Sequence, residues 1–219
     1  MADFCLDPEG WGPISSIRYA FTPCFLDGIL AAIPPIFMFI GGAIQLWHFT
    51  QSNKVPNARN AIYALKIAVV FVLLALNVAL AVTRWRESPM WQKDVLYWSA
   101  LLKVLATLFA FGLHHLEHIR NPSPVPSAIL LLYWCMTVLI DAIKLYCLID
   151  GEIQQHLGYF ALFSLVLGGE TLIFLLEYLV PKGGKDYHVL SQGEEEEDGA
   201  LPCPADYADI FSRWPLVDY

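Results

Sequence analysis

The chain has 219 residues, of which 57% are hydrophobic and only 16% are charged, and its mean hydropathy is +0.50. This composition excludes a soluble domain, which must cover its surface with polar groups, and predicts that the lipid bilayer is the main solvent. The net charge of −8 comes largely from one acidic run at 194–198, and no basic patch is present, so nucleic acid is not an expected partner.

Residues 1–24 precede the first apolar run and form the predicted extracytosolic N-terminal segment. They carry Asp3, Asp7 and Glu9, which a cleavable signal peptide would lack, so we expect the first membrane helix to direct insertion. Cys5 and Cys24 lie on one side of the membrane, where an extracytosolic compartment would allow them to form a disulfide. Two unrelated free thiols are equally compatible with the spacing alone.

Five runs along the chain are long and apolar enough to cross a membrane. Each has about the 20 residues that a helix needs to span a core of about 30 Å, and continuous rather than alternating apolar runs predict helices. The predicted spans are Phe25–Trp47, Ala61–Val82, Leu96–Leu116, Ala128–Ile149 and Gly158–Leu179. The predicted fold is therefore an all-α integral membrane bundle over residues 25–179, in which short connectors make consecutive helices antiparallel neighbours.

Side chains near the span ends are typical of membrane interfaces. Lys66 lies about 7 Å inside its helix end, close enough for its ammonium group to extend to the surface. Tryptophans near the ends predict interfacial aromatic belts, because the indole ring favours the headgroup level. The tryptophans in question are Trp47, Trp85, Trp91, Trp98 and Trp134.

We single out four further ionisable residues inside the predicted spans, where a charged side chain costs about 2.5 to 3.5 kcal/mol near a helix centre. Asp141 and Lys144 are three residues apart on one helix face, at a depth similar to that of Lys103. We therefore predict a buried cluster of these three that ties the third helix to the fourth. Glu170 falls near the middle of the fifth span, and we predict that it faces the bundle in a neutral or hydrogen-bonded form rather than serving transport.

A histidine-rich group at the end of the third span is the one pattern that suggests chemistry. It comprises His114, His115, Glu117 and His118, and histidines four residues apart can share a helix face and a metal ion. Membrane metalloenzymes need several such groups on different helices, so interfacial histidines are the preferred interpretation. Neither a phosphate-binding glycine loop nor a nucleophile elbow is present in the sequence, so we expect no enzyme activity and no cofactor in this chain.

After Leu179 the composition becomes polar and acidic. Residues 180–200 predict a disordered, flexible cytosolic linker, because they contain little that could bury a core. Within it, Tyr187 and Leu190 form a Tyr-x-x-apolar pattern of the kind that sorting adaptors read, and Ser191 precedes acidic residues as phosphorylation sites often do. Residues 201–219 regain aromatic side chains and form a separate segment able to dock on a partner.

Several stretches of the sequence resemble the start of subfamily C ABC transporters, the multidrug resistance-associated proteins, and above all their fungal vacuolar members that transport glutathione conjugates. The opening residues 8–15 (PEGWGPIS) are the most specific. Further matches are Phe21-Thr22, Cys24-Phe25, Asp27-Gly28, residues 131–134 (LLYW), residues 175–177 (LLE), Ala208, and Ile210, Phe211, Ser212 and Arg213. The likeness follows the chain in order over nearly its whole length.

This resemblance implies an N-terminal accessory module, transmembrane domain 0, with its N-terminus outside the cytosol and its C-terminus in a cytosolic lasso linker that contains Ile210–Arg213. It also favours the Cys5–Cys24 disulfide, because the family has such a pair. After Arg213 the family continues into its first core helix, whereas this chain reads WPLVDY. The ATP and Mg sites of the family lie in the core and nucleotide-binding domains, which the likeness does not cover.

The resulting hypothesis is a non-catalytic domain of the vacuolar or plasma membrane. Its expected partners are membrane lipid, an ABC transporter core in cis or in trans, and other membrane proteins, and its roles are trafficking, stability or regulation. Two alternatives remain. One is a small stand-alone transporter or channel whose path is lined by Lys103, Asp141, Lys144 and Glu170. The other is a membrane metalloenzyme that uses the His114 group.

Overall fold

The computed structural model describes residues 12–14, 21–22, 24–51, 61–87, 93–120, 127–150 and 157–178. Five long helices account for most of these residues, and the only pairing of strand type among them is one bridge between Ile14 and Phe21. The helices are α1 Ile33–Gln51, α2 Ala61–Glu87, α3 Lys93–Arg120, α4 Ala128–Asp150 and α5 Leu157–Tyr178. Each belongs to a helical stretch of at least 21 residues that is apolar enough on average to cross a membrane, which confirms the five predicted spans and the all-α membrane fold.

The first span starts with two irregular helical turns. A π turn at Phe25–Ile29 and a 3₁₀ turn at Leu30–Ala32 come before α1. Pro34 and Pro35, at the start of α1, lack the backbone N–H that would donate to a carbonyl four residues earlier. The regular ladder is therefore interrupted at this point, and the preceding residues form tighter or wider turns.

The helices form a closed ring in the order α1, α3, α2, α5, α4. In this ring α1 packs against α3 and α4, α2 packs against α3 and α5, and α4 packs against α5. The expectation that consecutive helices are neighbours holds for α2–α3 and α4–α5 but is wrong for α1–α2 and α3–α4, whose described residues make few contacts. A connector reaches about 3.3 Å per residue, so the nine residues between α1 and α2 can pass over an intervening helix about 10 Å wide.

Apolar side chains fill the middle of the ring. Buried residues from all five helices form one continuous core, which includes Met38, Leu73, Ala110, Leu130 and Ile173. Two glycines allow close approach here. A Cβ atom on Gly42 would lie 2.6 Å from Phe109 Cε1, and one on Gly169 would lie 2.6 Å from Leu73 Cδ2. These distances are too short for a larger side chain, so α1–α3 and α2–α5 pack through glycine surfaces.

Candidate functional site

The ring has two polar ends, separated by its apolar middle. The N-terminal turns share one end with late residues of α2 and α4 and early residues of α3 and α5, as expected for helices that alternate in direction. We call this end the N-side and the other end the C-side. Each contains a cluster of buried charged side chains.

The N-side cluster consists of Asp27, Lys103, Asp141, Lys144 and Glu170. At its centre, the ammonium group of Lys103 donates to Asp141 Oδ2 and lies 2.8 Å from Glu170 Oε1. Asp141 and Glu170 are almost completely buried. One lysine therefore joins α3, α4 and α5 through two carboxylates inside the ring.

Lys144 has a different partner from the one that the sequence suggested. Its ammonium group lies 3.1 Å from Asp27 Oδ1, in the π turn before α1. Asp27 is buried as well. Sequence reasoning assigned no structural role to this residue, which lies at the start of the first apolar run. An acidic residue in an apolar run needs a partner, and that rule could have identified it.

Glu170 faces the interior of the ring, with 1% of its surface exposed. Neither of its carboxylate oxygens accepts a hydrogen bond within the described part of the chain, although the Lys103 ammonium is close enough for an ion pair. The N-side cluster holds three carboxyl groups and two ammonium groups. Glu170 shares the Lys103 ammonium with Asp141, so it is the carboxyl group that has no ammonium group of its own.

The C-side cluster consists of Lys66, His114, Trp134 and Glu177. Glu177 Oε1 lies 3.0 Å from the Lys66 ammonium and 3.1 Å from His114 Nδ1. The indole N–H of Trp134 donates to His114 Nε2 at 3.3 Å. This cluster joins α2, α3, α4 and α5 around one buried carboxylate.

Three expectations about these residues are wrong. Lys66 does not extend to the surface but pairs with Glu177, while Trp134 and His114 are buried rather than interfacial, with exposures of 1% and 4%. All three follow from Glu177, because its buried carboxylate needs charged partners and lies within ion-pair distance of Lys66 and His114, and His114 in turn accepts from Trp134. Glu177 lies seven residues after Glu170, two turns along the same face of α5, and that spacing was the available signal.

A second C-side contact ties α1 to α4. The Gln45 amide donates to Ser127 Oγ at 2.7 Å, and both side chains are buried. Ser127 immediately precedes α4, and its Oγ also accepts from the Leu130 N–H at 3.5 Å, in the manner of a helix cap. Sequence reasoning assigned no role to either residue. Since α1 and α4 are three helices apart in sequence, only packing brings them together.

His114, Glu117 and Glu177 also hold ligand-type atoms within 4.8 Å of one another, as a metal site would require. The hydrogen bonds do not fit that use. Trp134 donates to Nε2, so the lone pair of that nitrogen is occupied, and a neutral His114 carries its proton on Nδ1, which lies 3.1 Å from Glu177 Oε1. In this protonation state neither ring nitrogen offers a lone pair to a metal ion. The side chain of His118, the other predicted ligand, lies outside the described residues.

Cys24 is buried and disulfide-bonded, and its partner lies outside the described residues, so pairing with Cys5 stays a prediction. The cysteines of α4, Cys135 and Cys147, are free thiols. The remaining predicted site residues are outside the described part of the chain. They are Tyr187, Leu190, Ser191, Ile210, Phe211, Ser212 and Arg213.

The two clusters are separated by a layer of apolar side chains. On α5, Ile173 lies between Glu170 and Glu177 and is fully buried. On α3, Ala110 lies between Lys103 and His114 and is also fully buried. The charged groups are paired within each end and are not linked across this layer by any described polar contact.

Comparisons with known proteins agree with this architecture. The family model described as the ABC transporter TMD0 domain matches residues 2–161. Among curated proteins, the metal resistance protein YCF1 of Saccharomyces cerevisiae is 28% identical over an alignment of 219 residues. The alignment covers 95% of this chain but only 14% of YCF1. The chain thus spans about one seventh of the length of that relative.

Proposed function

We propose that this chain, which belongs to the ABC transporter TMD0 family, is a non-catalytic accessory domain. It binds a subfamily C transporter core, in cis or in trans. The match over residues 2–161 is the observation that carries this proposal. The bundle contributes membrane anchoring and a contact surface. ATP hydrolysis and transport belong to the partner core.

The internal pairing of charged groups supports a scaffold role. Lys103, Lys144 and Lys66 each have a carboxylate within ion-pair distance, and apolar residues separate the two clusters. A transporter or channel needs charged or polar groups that can exchange partners along a continuous path. Fixed pairs instead hold several helices in one arrangement, which a docking domain requires.

The finer aspects of function follow from the family and the relative. We infer that the chain lies in a vacuolar or plasma membrane with its N-terminus outside the cytosol, where the disulfide of Cys24 can persist. Because the chain is similar to YCF1, which is named a metal resistance protein, we infer a partner core that serves metal resistance. The resemblance to multidrug resistance-associated proteins further suggests a core that exports glutathione conjugates and xenobiotics. The domain would support trafficking, stability or regulation of that core.

Affinity purification from native membranes tests the proposal. The tagged full chain is solubilised in mild detergent, and co-purifying proteins are identified by mass spectrometry. We expect an ABC transporter core, and we expect untagged chain in excess to displace it. A matched bait carrying Glu170→Gln should recover the same core, because that side chain is internal. Recovery of no ABC core by either bait would contradict the proposed function.

A further inference from the structure

A cavity of about 430 Å³ lies inside the N-side half of the ring, with residues from all five helices in its wall. Its inner wall is mainly apolar and includes the buried side chains of Pro34, Tyr133 and Phe163. The volume is in the range of sites for small organic molecules, which are mostly apolar with a few polar groups. A cavity of this size has room for one acyl chain but not for a whole lipid with two chains.

The cavity opens sideways, along one face of α2. Val78, Val82 and Trp85 line the cavity, and each is nearly half exposed. They are spaced four and three residues apart, so they form one stripe along the helix. By the helical rise, this stripe extends about 10 Å from Trp85 toward the apolar middle of the bilayer. A chain can therefore enter the cavity directly from the surrounding lipid.

One end of this opening has the side chains of a membrane interface. Trp85 and Tyr97 line it with ring centroids 5.6 Å apart, and Tyr97 is about half exposed as well. Such aromatic side chains favour the headgroup level. Arg86, in the last turn of α2, also lines the cavity and is exposed. A guanidinium group thus lies beside the mouth of the cavity, at the depth of the lipid phosphates.

The charged side chains of the wall balance one another except for Arg86. Lys103 pairs with Asp141, and Lys144 pairs with Asp27. Arg86 has no acidic partner within the described part of the chain. One positive charge is therefore left at the mouth, and charge complementarity calls for an anionic group there. The planar guanidinium group matches two oxygens of a phosphate.

We propose that this cavity binds a glycerophospholipid of the surrounding bilayer, with the phosphodiester on Arg86 and one acyl chain inside the ring. The second chain stays in the bilayer, because the opening is lateral. A sterol or a diacylglycerol would fill the apolar space but would leave Arg86 without an anion. A soluble anion would pair with Arg86 but would bury none of the apolar wall. The site lies within this chain, so the proposal does not rest on the accessory role.

Photolabelling of the purified full chain in mild detergent tests whether an acyl chain enters. The probe is phosphatidylglycerol, which carries one phosphodiester and no other charge, with a diazirine near the end of one acyl chain. We expect label on Tyr133 or Phe163, which are buried in the inner wall and which a lipid on the outer surface of the bundle cannot reach.

Two variants of α2 control this labelling. Ala81 lines the cavity, so the phenyl group of Ala81→Phe would fill it and remove the label from the inner wall. Ala75 is exposed on the same helix and does not line the cavity, so Ala75→Phe should be labelled like the wild type. Label confined to the outer surface, or inner-wall label that Ala81→Phe leaves unchanged, would overturn the proposal.

The phosphate contact has its own test, which changes one exposed side chain and leaves the core intact. Titration of the full chain with phosphatidylglycerol, followed by native mass spectrometry, measures the affinity. Arg86→Gln should weaken binding by about fivefold, the effect of losing one exposed ion pair. Diacylglycerol with the same two chains and no phosphate should bind the wild type and Arg86→Gln equally. If Arg86→Gln retains the wild-type affinity for phosphatidylglycerol, the phosphate assignment is wrong.

Competition with oleate separates a phospholipid from a free fatty acid, which also combines an anion with an acyl chain. A phospholipid has a glycerol backbone and a second chain that contact the exposed stripe of Val78 and Val82. We therefore expect oleate to displace labelled phosphatidylglycerol only at a concentration at least about tenfold higher. Displacement at an equal concentration would assign the site to a fatty acid and refute the phospholipid.

Discussion

The N-side and C-side clusters both bury charged side chains in the membrane, but they balance the charge differently. The C-side has one fully buried carboxylate, Glu177, opposite one ammonium group, Lys66, with His114 and the half-buried Glu117 beside them. The N-side has three carboxyl groups opposite the ammonium groups of Lys103 and Lys144. The C-side therefore depends on its one fully buried acid, whereas the N-side depends on its lysines and has a carboxyl group in excess.

Depth separates the clusters as well. Lys66 lies about 7 Å from the start of α2 and Lys103 about 15 Å from the start of α3, by the helical rise. A lysine close to a helix end can still reach the headgroup region if it loses its partner. A carboxylate in the middle of the ring has no such route. Equivalent substitutions should therefore cost more at the N-side than at the C-side.

The largest effect is expected for Lys103→Met. This substitution leaves both Asp141 and Glu170 without their shared ammonium, so we expect a loss of about 3 to 5 kcal/mol in the free energy of unfolding. Denaturant unfolding in mixed micelles measures it, with Leu105→Met on the exposed face of α3 as control. A loss of less than about 1 kcal/mol would show that the N-side does not depend on its lysine.

Glu177→Gln should have the next largest effect. It removes the acceptor shared by Lys66 and His114, and we expect a loss of about 1 to 3 kcal/mol, limited because Lys66 can turn toward the surface. A double-mutant cycle with Lys66→Met checks the pairing, since the double variant should cost less than the sum of the single ones. Strict additivity would mean that the two side chains do not interact.

Gly169→Ala tests whether the N-side cluster depends on the close approach of α5 to α2. The added Cβ would meet Leu73, so we expect a net loss of about 1 kcal/mol after the gain in helix propensity. Gly168→Ala is the matched control, because its Cβ would meet nothing within 4 Å, and it should stabilise the protein by up to about 1 kcal/mol. Equal thermal shifts for the two variants would contradict the observed α2–α5 packing.

The smallest effect is expected for Glu170→Gln. This substitution leaves two carboxylates opposite two ammonium groups in the N-side cluster. The free energy of unfolding should therefore change by less than about 1 kcal/mol, well below the effect of Glu177→Gln. Recovery of the transporter core should be unchanged. If the purified chain carries a flux in liposomes and this substitution abolishes it, that result would instead support the alternative of a stand-alone transporter.

Much of the fold could be predicted from the sequence, because hydropathy adds up over neighbouring residues. All five spans were predicted within a few residues of the observed helices, and α2 and α3 differ mainly by continuing into polar residues, to Glu87 and Arg120. For the site, the sequence identified Lys103, Asp141, Lys144 and Glu170 as residues that need partners. It did not identify Asp27 as the partner of Lys144 or Glu177 as the partner of Lys66, and both acids lie near the ends of apolar runs.

The sequence by itself determined that the chain has five membrane spans and that Lys103, Asp141, Lys144 and Glu170 are ionisable groups inside them. The tertiary structure alone decided the ring order, the pairing of Lys144 with Asp27, the burial of His114 and Trp134, and the cavity beside Arg86. The physical reason is that crossing a bilayer depends on one helix at a time. Which faces share the interior depends on the simultaneous packing of all five helices, including contacts such as Gly42 with Phe109 that sequence spacing does not reveal.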